Sequence, residues 1–472
     1  MKAKQEIKTG FKWSLIGFFF QKGLTLITGI VLARLLTPAE FGLLGMASVF
    51  LALIQVLVES GFGYTIIRTT ELSEKLINTS LVLNVVFGLF FFVIFYVSAP
   101  LVASFFAEPQ LIPVVELLSV IIVINSFRVV PLSINIKELK FKDRAKIDVI
   151  SNIIGGIVGI SMAYLGYGVA SLVWQMIVSS IVTTLAHNYI AKISYKLEIS
   201  IEEIKFIWKT SHRIFFNQIL STLFNNLNNI VIGKYFSTGQ LGFYNRATSF
   251  QKLVQNSTVQ MTQRAVFPVF AKIESKKETL SLTRQTVVKL AIIAMPIILF
   301  LGAIADNLII VLLTDKWSQS IDYLVLLSIL SCIFVPQMVY INVLKANDDK
   351  MFFKSENISK IIRLILLILS IPYGIKGIII GQIIQVVIVN FVTGSFLNKL
   401  LCNYNVKSQI LDYIKPLMSA LVIALLVYTF SYFLNLDRLI ELVMQFASFG
   451  IMYIFHCKFQ GINLFKLLKA KE

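Results

Sequence analysis

The sequence predicts an all-α, polytopic membrane protein of about 14 transmembrane helices, twelve being possible, built as two parallel six-helix lobes plus two C-terminal helices. Three observations carry this expectation. Of the 472 residues, 57% are hydrophobic and 14% charged, with a mean hydropathy of +0.80, whereas globular domains carry roughly 25% charged residues. Apolar runs recur from near the N-terminus to residue 457, each long enough to cross a hydrocarbon core of about 30 Å. Finally, residues 31–50, VLARLLTPAEFGLLGMASVF, return 200 positions later as VIGKYFSTGQLGFYNRATSF.

The elements follow in order. The N-terminal stretch MKAKQEIKTGFKW is basic and leads into an apolar run. That run is too long for a signal peptide and no small-residue cleavage site follows it, so it reads as a retained first helix. Spans are expected over 13–33, 42–63, 80–100, 112–133, 149–166, 169–189, 214–233, 243–270, 290–305, 321–343, 357–372, 377–397, 416–434 and 440–457. The seventh and eighth are the least apolar, which is why twelve remains open.

Orientation follows from the basic residues. With the N-terminus cytoplasmic, the outside loops hold only Arg34, Lys234, Lys316, Lys376 and Arg438 of the 43 lysines and arginines. Lys22, Arg128, Arg246, Lys252 and Arg264 fall within spans, and the others are counted to the inner side. Such a bias supports an inside location for both termini. It also accounts for the net charge of +18 without nucleic acid.

The repeat fits this map. Six helices separate the copies, so both insert the same way up and are related by a pseudo-twofold axis along the membrane normal. The expected lobes are 1–208 (helices 1–6) and 209–400 (helices 7–12), with helices 13–14 and a cytoplasmic tail in 401–472. Ile30/Ile230, Val31/Val231, Gly42/Gly242, Ala47/Ala247 and Phe50/Phe250 are identical, and Arg34/Lys234, Thr37/Ser237 and Glu40/Gln240 are conservative. A weaker echo links GYGVASLVWQ (166–175) with YGIKGIIIGQ (373–382).

Cys332, Cys402 and Cys457 lie in or beside apolar segments without metal-type spacing, and His187, His212 and His456 are scattered. Neither a disulfide framework nor a metal site is expected. The seventh span, RIFFNQILSTLFNNLNNIVIGKYF, is polar for its position. Gln218, Ser221, Thr222, Asn225 and Asn229 follow the i, i+3, i+4, i+7, i+11 pattern of one helix face. Two readings stay open: a face lining an aqueous cavity, where amides and hydroxyls meet sugar hydroxyls, or hydrogen bonds that hold helices together.

Subtracting 200 sets Lys22 opposite Thr222, on the corresponding face of the first helix, although Lys22 also lies within snorkelling reach of the inner surface. Arg246 and Arg264 are 18 residues apart in the eighth span, five helical turns on one face. Arg128 stands near the inner end of the fourth span, where it either faces a cavity or reaches the headgroups. Arginines facing a cavity suit phosphate or diphosphate, which they bind bidentately. The acidic residues within spans, Glu59, Glu116, Asp322 and Glu441, all lie nearer an end than the centre, so an anionic substrate is favoured over a cationic one.

Four stretches together resemble the polysaccharide transporter family, the Wzx-like lipid-linked oligosaccharide flippases of the multidrug, oligosaccharidyl-lipid and polysaccharide exporter superfamily. They are ARLLTPAEFG (33–42) with ESGFGYTIIR (59–68), FFNQILSTLFNNLNNIVIGKYFSTGQLGFYNRA (215–247), FPVF (267–270) and NVLKANDDKMFFKSE (342–356). The sequence departs from the family's pattern at Glu59, where aspartate is usual, and in the acidic KANDDK (345–350).

The resemblance implies a flippase, not an enzyme. Such a protein moves an undecaprenyl-diphosphate-linked oligosaccharide from the inner to the outer leaflet for surface polysaccharide synthesis, by alternating access. No cofactor is implied beyond a coupling ion, H⁺ or Na⁺. The implied partners are that lipid-linked oligosaccharide, membrane lipids, and the polymerase and glycosyltransferases of the same pathway. Two rivals are weaker: an organic-cation exporter of the superfamily, against which the buried charge balance argues, and a membrane enzyme or polymerase, against which the short outside loops argue. A scaffold for such enzymes would tolerate neutralising Lys22, Arg246 and Arg264.

Overall fold

The computed structural model describes residues 2–460 except 60, 194–195, 271–272, 274, 403 and 435, and for 2–16, 18–19, 256–268 and 430–434 it describes the backbone alone. The described secondary structure is helical. In chain order the helices are α1 (Lys2–Leu35), α2 (Pro38–Glu59), α3 (Phe62–Arg68), α4 (Glu74–Val97), α5 (Ala99–Phe106), α6 (Leu111–Ser126), α7 (Val129–Lys137), α8 (Phe141–Tyr164) and α9 (Val169–Ala191). They continue as α10 (Ile201–Tyr235), α11 (Thr238–Phe270), α12 (Lys276–Ala303), α13 (Ala305–Leu313), α14 (Gln319–Asn347), α15 (Asp349–Ser370), α16 (Gly374–Leu401), α17 (Val406–Leu434) and α18 (Arg438–Phe459).

Each of the fourteen expected spans falls on this helical framework, the fourth being divided between α6 and α7, which meet at a bend of 43°. Among the described residues nine helical runs are long and apolar enough to cross a membrane, with the α6–α7 pair a tenth. One of the nine, Asp349–Leu401, contains both α15 and α16. The remaining expected spans, the first, seventh and eighth, lie on α1, α10 and α11, and α10 carries more amide and hydroxyl side chains than the helices that qualify. Large apolar side chains stand on the outer faces, among them Phe90, Val93 and Val97 of α4 and Val443, Ile451 and Phe455 of α18. Such faces are expected against lipid, where no water penalises them.

The repeated segment builds the same helix start twice. At the head of α2, the Thr37 backbone N–H and hydroxyl donate to Glu40 Oε2 at 2.6 and 2.9 Å, and the Glu40 N–H returns to Thr37 Oγ1 at 3.4 Å. At the head of α11, Ser237 N–H donates to Gln240 Oε1 and Gln240 N–H to Ser237 Oγ, both at 3.3 Å. Each is a capping box, in which residues three apart satisfy each other's orphaned backbone donors. The conservative exchanges Thr37/Ser237 and Glu40/Gln240 are therefore the ones that preserve this geometry.

The two copies also meet. A Cβ placed on Gly42 would lie 1.8 Å from the Thr238 carbonyl oxygen, and one on Gly242 would lie 1.8 Å from the Pro38 carbonyl oxygen. Because Gly42 corresponds to Gly242 and Pro38 to Thr238, the contact is reciprocal, as a local twofold requires. Glycine is needed at both positions because backbone approaches backbone there.

Packing divides the chain into two compact units, Met1–Gly242 and Phe243–Glu472. The expected lobes divide at residue 209, whereas in packing α10 belongs with the first unit, against α2, α3, α4 and α5. In the first unit, Phe62, Leu76, Val129 and Ile207 form one apolar cluster and Leu32, Leu36, Ala163 and Leu172 another. In the second, Met295, Ile298, Cys332 and Val335 pack with Ala420 and Ala424, while Phe270, Tyr340, Leu344 and Tyr404 form a separate cluster.

Candidate functional site

Helix α10 carries the polar stripe, and its packing is uneven along its length. Ser211, Gln218, Asn225 and Ile232 are spaced by sevens and so share one face. At the ends that face is closed, with Ser211 2% and Ile232 0% exposed. In the middle Gln218 and Asn225 are exposed, flanked by half-buried Ser221, Thr222 and Asn229. The uncovered stretch from Gln218 to Asn225 spans about 10 Å of helix.

Closure near Ser211 depends on Gly61, which has φ 90° and stands so close that a Cβ would lie 2.2 Å from Ser211 Cβ. The Ser211 hydroxyl is spent on the Ile207 carbonyl at 2.7 Å. Toward the other end, α10 packs on α2 and α5. Between these closures Thr222 supplies only its backbone oxygen, to Asn226 Nδ2 at 2.8 Å. The side chains of Gln218, Ser221, Asn225 and Asn229 make no hydrogen bond among the described residues. Within the expected span 214–233, amides and a hydroxyl left this way require water or a ligand, because an unmet polar group in hydrocarbon costs several kcal/mol. This arrangement offers hydrogen-bond donors and acceptors to a neutral polar guest.

The charged candidates are distributed differently. Arg128 stands at the α6–α7 bend, with Nη2 3.9 Å from Glu59 Oε1, and its Nε is buried without a hydrogen-bond partner among the described residues. It is therefore offset by an acid at a distance too long for a hydrogen bond. Lys22 is half-buried on α1, one turn before Thr25, whose hydroxyl meets the Gln21 carbonyl at 2.8 Å and Asn152 Oδ1 of α8 at 3.4 Å.

Arg246, in the second unit, is 8% exposed, and its guanidinium carbon lies 5.4 Å from the centre of the fully buried Trp317 ring. Trp317 in turn meets Phe243 edge-on at 6.0 Å. A cation over an aromatic face is held electrostatically. Arg264 belongs to α11, and its side chain lies outside the described residues.

One residue escaped the sequence reading. Arg363, well inside α15, lies close enough to Lys252 of α11 for the two charges to repel, and its Nε is buried without a hydrogen-bond partner among the described residues. Sequence reasoning counts Arg363 with the inner-side charges, although it falls inside the expected span 357–372. Its place within that span was the available signal. Two neighbouring cations, neither in an ion pair among the described residues, make an anion-attracting pair.

These features define a multi-pass helical membrane protein holding polar and cationic groups at membrane depth. The fold agrees with a solved structure titled "Lipid II flippase MurJ, inward closed conformation", at a TM-score of 0.75 and 17% identity, covering 94% of this chain and 98% of that one. A family described as "Polysaccharide biosynthesis protein" matches residues 31–322, and the chain belongs to that family. It is 26% identical over 336 residues to the lipopolysaccharide biosynthesis protein WzxC of Escherichia coli, covering 70% of this chain and 68% of that protein. It is 23% identical over 389 residues to the succinoglycan biosynthesis transport protein ExoT of Rhizobium meliloti, covering 81% of this chain and 77% of that protein. The resemblance read from the four sequence stretches is borne out.

Proposed function

We propose that this protein is a flippase that carries an undecaprenyl-diphosphate-linked oligosaccharide from the inner to the outer leaflet of the cytoplasmic membrane by alternating access. The uncovered middle of α10 carries the reading. Gln218, Ser221 and Asn225 present uncommitted amides and a hydroxyl on a face that is closed at both ends, which suits a guest rich in hydroxyl groups. The WzxC and ExoT names place relatives in polysaccharide biosynthesis, and ExoT's name adds transport.

Physical need points the same way, since sugar hydroxyls and a diphosphate cannot enter hydrocarbon unpaired. In this reading the α10 face of the first unit meets the glycan, and Lys252 with Arg363 gives the second unit its own attraction for an anion. An ion gradient, H⁺ or Na⁺, supplies direction, and the polymerase and glycosyltransferases of the pathway act on the same lipid-linked unit. Deletion of the gene is expected to leave lipid-linked repeat units on the inner leaflet, measured as their protection from a membrane-impermeant label applied outside intact cells. Repeat units labelled as fully as in the parent strain, together with lost efflux of a cationic dye, would replace this reading with multidrug export.

A further inference from the structure

A second cationic feature lies apart from the α10 stripe. Where the α3–α4 connection faces the first turns of α10, a cleft of about 940 Å³ opens, lined by Arg68 and Glu71 on one side and by Lys209, His212 and Arg213 on the other. The stripe begins at Gln218, five residues beyond Arg213, and five residues turn a helix by about 140°. The cleft is therefore on a different face of α10 from the proposed glycan surface.

The connection is fastened from several directions. Ser73 caps α4 by accepting from Leu76 N–H at 3.0 Å, and its hydroxyl donates to Glu203 Oε1 at 3.1 Å. Lys137 Nζ donates to the Thr69 and Thr70 carbonyls. Lys196 Nζ meets Glu74 Oε2 at 2.8 Å, so two nearby acids, Glu74 and Glu203, are already engaged.

The cations of the cleft are not engaged in this way. Arg68 Nη1 donates only to Tyr64 Oη, at 3.3 Å, with its guanidinium over the same ring. Lys209 and Arg213, one turn apart, make no ion pair among the described residues, and neither does Arg68. His212 Nδ1 is directed at the Trp208 carbonyl at 3.0 Å, which leaves Nε2 available. Within the lining only Glu71 opposes three permanent positive charges.

We propose that this cleft binds the phosphate-ester head group of a lipid at the inner membrane interface. Two arginines and a lysine converging from separate elements match phosphate oxygens, which guanidinium groups take bidentately and an ammonium takes as a point charge. The volume exceeds that of a phosphate or diphosphate and leaves room for the group the phosphate carries. Basic residues immediately inside a span also lie where anionic head groups concentrate. The inner placement rests on the orientation read from the basic residues; binding itself does not rest on transport. The head group has two sources, the polyprenyl diphosphate of the cargo or a resident anionic phospholipid.

The test uses the full chain in nanodiscs of phosphatidylcholine, titrated calorimetrically with farnesyl diphosphate. Arg68→Gln/Lys209→Gln/Arg213→Gln is expected to weaken binding tenfold or more, with each single change giving part of that loss. Lys350→Gln, an exposed charge in the second unit, is expected to leave binding unchanged. Repeating the titration in discs containing phosphatidylglycerol names the source. Weakened farnesyl diphosphate binding assigns the cleft to resident phospholipid, whereas unaltered binding that inorganic pyrophosphate still displaces assigns it to the diphosphate.

Equal affinity in the triple variant and the parent, with thermal melting unchanged, would overturn the proposal, as would an equal loss in Lys350→Gln. The singles guard against a triple variant that fails to fold. Failure of the flippase reading would be seen separately, as labelled repeat units in deletion cells, and would leave this titration intact.

Discussion

The two units carry their intramembrane polarity in different chemical forms. The first displays neutral amides and hydroxyls on α10, and its arginine at the α6–α7 bend is offset by Glu59. The second sets Lys252 near Arg363, and among the described residues its ion pairs include neither. Neutral groups bind weakly, at about 0.5–1.5 kcal/mol per hydrogen bond, while bonds to charged groups contribute about 1.5–3 kcal/mol. The first surface is thus suited to many small contacts with a variable glycan, and the second to a few strong contacts with an invariant anion.

That contrast predicts where function should be most sensitive. Arg363→Gln is expected to lower transport about tenfold or more, because it removes a charged contact worth about 1.5–3 kcal/mol, and about 1.4 kcal/mol is a factor of ten. Lys252→Gln should act in the same direction. Arg363→Lys should recover part of the loss, since charge returns without the bidentate fork. Outer-leaflet appearance of lipid-linked repeat units in spheroplasts measures all three. Parent-level transport in Arg363→Gln would show that the cation is structural.

A second prediction concerns where the copies are alike. Gly42→Ala and Gly242→Ala each drive a methyl group into a backbone carbonyl, at Thr238 and Pro38 respectively. Overpacking of this kind costs about 1–3 kcal/mol. Because the contact is reciprocal, the two variants are expected to lower the melting temperature in detergent by similar amounts. A large loss in one with none in the other would show that the two copies had ceased to be equivalent at their meeting point.

Much of this architecture is legible in the sequence because it follows from local composition. Apolar length needs no tertiary information, and the spacing of the α10 stripe is plain. The capping boxes at Thr37–Glu40 and Ser237–Gln240 were visible as aligned residues, and the structure supplies their reason. What the sequence does not contain is coverage. That Gln218 and Asn225 stand open while Ser211 and Ile232, seven residues away on the same face, are closed depends on how α2, α3 and α5 pack. Nor does the sequence show that Trp317, 71 positions later, stacks against the Arg246 guanidinium. Arg363 is hidden because it continues the run of Lys350, Lys354 and Lys360 and is counted with them to the inner side, although it falls inside the expected span 357–372.

The smallest effects are expected on the α10 face itself, and they should depend on the substrate. Gln218→Leu and Asn225→Leu each remove one neutral partner worth about 0.5–1.5 kcal/mol, a two- to tenfold change. Both side chains are exposed and make no hydrogen bond among the described residues, so folding should be little affected. Ser211→Val is the structural counterpart, because its hydroxyl is committed to the Ile207 carbonyl on the closed part of the same face. It should alter stability without altering preference among glycans. If α10 meets the sugars, the leucine variants should reorder transport among repeat units of different composition while affecting the diphosphate contacts equally for all. A uniform fall across every substrate would assign the stripe to helix packing, and the contrast between the two units would then lie in their cations alone.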